Sequence, residues 1–144
     1  MTKIPAKISL ALLRISMGWL MLYAGITKII DSEWSAQGFL RGAKTFPDLY
    51  KWFLLPQNLP WVDFANEWGL TLLGISLITG ALVRYSSPLG AILMLLYYFA
   101  GLDFPYPNEH SLIVDEHIIY ALVLAFFAAV GAGRYWGFDS RFYR

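Results

Sequence analysis

The sequence contains no cysteine, and only 15% of its 144 residues are charged. The first absence excludes disulfides, thiolate metal sites and an internal dithiol relay. The second falls well short of the roughly one-quarter charged residues of a soluble domain. Histidine is scarce too, with His110 and His117 the only two. Their separation along the chain fits no compact ligand motif, so no metal site is expected. No glycine-rich phosphate loop or serine-centred nucleophile motif occurs, and a net charge of +1 gives no sign of nucleic-acid binding. What is abundant is hydrocarbon: 58% of the residues are hydrophobic and the mean hydropathy is +0.51. These values point to an integral membrane protein.

At about 20 residues per crossing, the apolar stretches predict four spans, near 8–30, 64–83, 88–102 and 113–133. The expected fold is all-α, an integral membrane four-helix bundle in a single domain over 1–144. Lys3 and Lys7 before the first stretch resemble a secretion signal. That stretch is too long for a signal core and contains Arg14, so it reads as a retained helix. Pro88 suits the first turn of span three. Gly131-Ala132-Gly133 followed by Arg134 is a stop signal for span four. Residues 33–62 form an amphipathic segment rich in Trp, Phe and Lys, cut by Pro47, Pro56 and Pro60. It reads either as an interfacial anchor or as a lid over a cavity between the helices. Lys3, Lys7, Arg84, Arg134, Arg141 and Arg144 fall on one side of the spans, which predicts both termini in the cytoplasm.

With that orientation Lys28, Glu67, Glu116 and His117 share one layer, the outer third of the bilayer. Helical phase lets them meet. Arg14, Gly18, Met21, Gly25 and Lys28 follow steps of four and three and form one stripe. Glu67, Leu70, Gly74 and Ala81 share a face of span two, as do His117, Tyr120, Leu124, Ala128 and Gly131 of span four. Small residues on the same faces allow close helix approach in lipid.

Each group also has a plain reading. Lys28 can snorkel to the interface with nothing to bind. Asp115 reads as an exposed first-turn acid favoured by the helix dipole, and Glu116 as either the same or an inward group. Glu67 reads as inward and paired, because acids snorkel poorly. His117 is either a buried polar residue or a group that handles protons or binds a ligand. Arg14 needs its own partner among backbone carbonyls, a lipid phosphate or Asp139, and with Arg84, Arg134 and Asp139 it reads as structural charge.

Three blocks resemble the DoxX family of small four-helix membrane proteins. They are Leu13-Arg14-Ile15 through Gly18 to Ala24-Gly25-Ile26-Thr27-Lys28; Trp68-Gly69 with Gly74-Ile75-Ser76-Leu77-Ile78-Thr79-Gly80 to Arg84; and Asp115-Glu116-His117-Ile118-Ile119-Tyr120 to Gly131 and onward through Asp139. The resemblance spans nearly the whole chain, and the last block is the most specific. It implies a four-helix bundle in a prokaryotic plasma (inner) membrane. Proteins related to the family include the membrane subunit of a thiosulfate:quinone oxidoreductase.

Three functions follow as expectations. The first is a membrane subunit of a quinone-linked oxidoreductase. There His117 would exchange protons with the reduced quinone, Glu67 or Glu116 would relay them, and Lys28 would polarise a carbonyl oxygen. Tyr120 and Trp68 would supply rings against the quinone. No electron-carrying motif is visible, so other protein subunits must deliver the electrons. The second is a non-enzymatic assembly or docking subunit, with the charges gluing helices together. The third is a small transporter, for which four short helices suffice only as a homo-oligomer; the lack of broken helices and repeats counts against it.

Overall fold

The structure, a computed structural model, describes residues 4–142. The Lys3 and Arg144 of the charge argument lie outside the described residues. Among those described, the chain is helical, with seven α-helices and no extended strands. In chain order these are α1 (Ile4–Ile30), α2 (Gln37–Arg41), α3 (Pro47–Phe53), α4 (Leu59–Thr79), α5 (Val83–Gly101), α6 (Glu116–Val130) and α7 (Asp139–Phe142), with a 3-10 turn at Ala132–Arg134.

The long helices start and stop where backbone chemistry allows, which differs from where hydropathy places them. α4 begins five residues early, with Pro60 in its first turn, where a missing N–H costs nothing. It ends at Gly80, whose φ of +70° lets its N–H close on the Ser76 carbonyl. α5 starts at Val83, placing Pro88 inside the helix instead of in its first turn. The reason lies far along the chain: the Asp139 carboxylate accepts from Leu82 N at 2.7 Å and Val83 N at 3.1 Å, satisfying first-turn donors. α6 starts at Glu116 because Asp115 caps it, accepting from His117 N and Ile118 N. Its stop at Gly131, with φ +62°, is where the sequence put it.

Packing follows the small-residue stripes. Gly18 abuts Leu77 and Ile78, and Gly25 abuts Thr71, so α1 and α4 run antiparallel in close contact. Gly90 faces Leu124 and Tyr97 faces His117, which sets α5 antiparallel to α6. Asn66 of α4 meets Tyr97 of α5. The shared core holds Met21, Leu70, Leu73, Leu77, Met94, Leu124 and Phe127. A β-carbon on Gly74 would lie 2.6 Å from Leu22 Cα, whereas one on Gly69 would meet nothing within 4 Å. Gly74→Leu is therefore expected to lower stability by about 1–3 kcal/mol, and Gly69→Leu to leave it unchanged. Thermal unfolding in detergent checks the pair.

Large apolar side chains point outward from all four long helices: Leu12 and Trp19 on α1, Leu72 on α4, Leu89 on α5 and Leu122 on α6. Polar Arg14, Asn66, Thr71 and Ser87 are buried. Among the described helices only α1 is long and apolar enough to cross a membrane by length and composition. Asp63, Asn66 and Glu67 lower the hydropathy early in α4, as do Arg84, Ser86 and Ser87 in α5. α6 is apolar but has only 15 residues, about 22 Å of rise.

Candidate functional site

Two ends of the helix assembly carry chemistry of different kinds. At the end holding the α4–α5 turn, Arg14 is wholly buried. Its guanidinium donates to Leu77 O at 2.6 Å and Ile78 O at 3.5 Å, both in the last turn of α4, and to Tyr135 O and Trp136 O at 3.3 and 3.4 Å. A helix C-terminus leaves carbonyls unpaired and partly negative, so a cation there satisfies both needs. The following residues continue the clasp: Phe138 N donates to Thr79 O, and Asp139 N to Gly80 O. Asp139 is buried and caps α5, while Arg84 and Arg134 are exposed beside it around a cleft at the end of α6. Of the partners expected for Arg14, the backbone carbonyls are the ones hydrogen-bonded to it, and Asp139 adds an electrostatic interaction.

At the opposite end is a cavity of about 400 Å³. Its floor comes from α4, α5 and α6, its side from Lys28 of α1, and its roof from Trp34, Ala36, Phe39 and Leu40 around α2 with Tyr50 and Phe53 of α3. The segment at 33–62 thus covers a cavity, as its reading as a lid expects. Polar bonding holds it there. Asp63 accepts from Ala36 N and from Ser35 Oγ, both at 2.8 Å. The Tyr50 hydroxyl donates to Leu96 O at 2.7 Å, and burial pushes that phenol up to about 12, so it remains a donor. Lys44 pairs with Asp103 and Thr45 Oγ1 donates to Leu102 O, pinning the roof to the end of α5. Asp63→Ala is expected to speed amide hydrogen exchange across 34–41 while α1 and α4 keep their protection. Mass spectrometry of exchanged peptides measures both.

Besides the polar groups of the roof itself (Trp34, Ser35 and Tyr50), four polar side chains line the cavity: Lys28, Asn66, Tyr97 and His117. Asn66 and Tyr97 satisfy one another, since the Tyr97 hydroxyl donates to Asn66 Oδ1 while Asn66 Nδ2 donates to Val62 O. Lys28 Nζ donates to Ala24 O at 3.2 Å and lies 5.2 Å from the Trp34 ring centre, which leaves two of its protons for other acceptors. His117 Nδ1 lies 2.8 Å from Asp115 Oδ2. Its Nε2 is the ring nitrogen left for a ligand. Asp115 is buried, not the exposed first-turn acid its position suggests. The same carboxylate caps the helix and orients the imidazole.

The expected site is therefore assembled in part. Lys28 and His117 line one cavity. Glu67 is half-buried and lies off the cavity wall, and its carboxylate has no hydrogen bond or ion pair among the described residues, so its expected pairing is not found. Glu116 is exposed beside the cavity. Tyr120 packs its ring 6.4 Å from that of His117 without lining the space. Trp68 points outward in a row with Trp61 and Phe64. Asn66, one residue before Glu67, is the α4 side chain that faces in. About 100° of rotation per residue separates the two readings. Asp115, Glu116 and His117 bring possible metal-ligand atoms within 4.8 Å of one another. Both Asp115 oxygens are already bonded to α6 or to the imidazole, which makes the group a cap and a dyad.

The sequence model of the DoxX family matches residues 9–102, from α1 through α5 and including the roof. It stops short of the Asp115–His117 block, so the dyad lies beyond the matched stretch. No curated protein and no solved structure matches the chain. The match takes in well over half of the sequence, and the chain belongs to the DoxX family of membrane proteins.

Proposed function

We propose that the chain is the membrane subunit of a quinone-linked oxidoreductase and that the roofed cavity receives the quinone ring. The observation that carries this reading is the cavity wall. It is mostly apolar and aromatic, and Lys28 and His117 are its two basic side chains, each with bonding capacity to spare. A flat ring with oxygen at both ends matches such a wall. The four long helices form a bundle in the membrane, with the Arg14 clasp and its flanking arginines on the cytoplasmic side and the cavity toward the outer side. The short α6 is compatible with this placement because its capped end and the 102–115 loop sit at the outer interface, where backbone polar groups meet water.

When bound, a quinone supplies reversible two-electron, two-proton chemistry. The residues of this chain supply position and proton control. The Lys28 ammonium orients one ring oxygen. His117 Nε2 takes or returns a proton at the other, and Asp115 fixes the ring and offsets the imidazolium charge. Exposed Glu116, at the mouth, replaces Glu67 as the link to water. Trp34 and Tyr97 take the ring-packing role expected of Trp68 and Tyr120. Electrons come from a partner subunit. A second reading, as a docking subunit without its own ligand, draws on the exposed Trp61–Phe64–Trp68 row, which suits a partner helix.

A short-chain benzoquinone titrated into the protein in nanodiscs tests the reading. Saturable quenching of Trp34 is expected, with His117→Ala weakening binding about tenfold. Quenching that is identical in Trp34→Phe and His117→Ala would contradict a ring in the cavity and favour the docking reading.

A further inference from the structure

A second apolar space of about 660 Å³ runs along the outside of the molecule between α4 and α5. It begins at Ala65, Leu93 and Leu96, which also line the roofed cavity. It continues past Gly69, Leu72 and Leu89 to Ser76 and Leu82, near the opposite end of α4. From Ala65 to Thr79 the helix rises about 21 Å. The groove exists because the chain holds α4 away from α5 along this line. α4 spends its close-packing face on α1, and α5 spends its own on α6. Gly69 and Ala65 leave the groove floor low, and a side chain at 69 would meet nothing. At its far end Ser76 Oγ donates to Ala81 O and accepts from Ser86 Oγ. No polar group is left asking for a partner there.

A cavity with polar groups that adjoins a long apolar groove, with Ala65, Leu93 and Leu96 lining both, fits one amphiphile better than two separate ligands. We infer that the ligand of this protein carries a long hydrocarbon tail, of the polyprenyl kind, that lies in the α4–α5 groove while its ring occupies the roofed cavity. The inference rests on the quinone reading of that cavity. The tail gains no hydrophobic free energy by leaving lipid for the groove, because lipid chains are as apolar as the lining. The groove instead supplies direction. It brings the ligand in laterally from the bilayer, so that the roof need not open and Lys28 and His117 meet the ring in one orientation.

The test uses the protein in nanodiscs with a polyprenyl benzoquinone whose tail end carries a diazirine, and maps the adducts by mass spectrometry. Labelling that an excess of tail-less benzoquinone displaces is expected at Leu72, Ile75, Leu89 or Ile92. Gly69→Phe, which fills the groove floor, is expected to cut that labelling about tenfold while tail-less benzoquinone still binds. Displaceable labelling spread over the outward faces of α1 and α6, at Leu12 or Leu122, and unaffected by Gly69→Phe, would overturn the groove while leaving the ring site standing. Absence of any displaceable labelling would overturn both.

Discussion

Replacing Arg14 by methionine is expected to cost about 3 kcal/mol of stability, because hydrogen bonds made by a charged donor contribute roughly 1.5–3 kcal/mol each. Methionine preserves most of the side-chain volume, so the loss isolates the guanidinium. Without it, Leu77 O, in the last turn of α4, loses its 2.6 Å donor, and the carbonyls of Tyr135 and Trp136 lose theirs. All of these sit around a side chain with no solvent exposure, so water cannot readily replace it. The unfolding midpoint in detergent should fall by about 10 °C. Arg14→Lys should recover part of this, since one ammonium can reach α4 or the tail but cannot fork between them. A midpoint unchanged in Arg14→Met would mean that the clasp holds nothing together.

The second large effect belongs to the dyad. In the complex isolated from its native membrane with attached subunits, His117→Ala is expected to lower quinone turnover by about 10²-fold or more, the usual scale for a lost general acid–base group. Two substitutions separate the roles of Asp115. Asp115→Ala removes the α6 cap as well, costing about 1–2 kcal/mol. Asp115→Asn keeps an oxygen for His117 N and Ile118 N, so stability should hold while the pH profile of turnover changes. Turnover that survives His117→Ala would assign proton handling elsewhere, with exposed Glu116 next in line.

Much of the fold was legible because spacing is a local property. The Arg14, Gly18, Met21, Gly25 and Lys28 stripe faces the rest of the molecule as its steps of four and three require, with Arg14, Gly18, Met21 and Gly25 buried. Gly131 ends α6 where the sequence placed the stop. Asp115 reads from sequence as an exposed first-turn acid, whereas it is the cap of α6. Its burial was not legible either, because burial depends on how distant elements pack around the start of α6. The start of α5 needed Asp139, which lies 56 positions from Val83, and no window along the chain sees so far. The roof was ambiguous for the same reason. Hydropathy registers Trp34, Phe39 and Phe53 as interfacial, and only the bonds from Asp63 and Tyr50 turn them inward. Glu67 reads as the inward group because acids snorkel poorly, yet the Asn66 amide is the one that lines the cavity.

A quinone held in this cavity would show most directly in the ligand content of the protein itself. The chain is extracted from its native membrane in a lipid-retaining polymer, and the bound quinone is quantified by mass spectrometry against the surrounding lipid. About one quinone per chain is expected, enriched over the bulk membrane, with loss of that enrichment in Ala65→Trp, a substitution at a residue that lines both cavity and groove. Quinone at bulk-membrane levels in the unaltered protein, or equal enrichment in both, would rule out a quinone in the cavity.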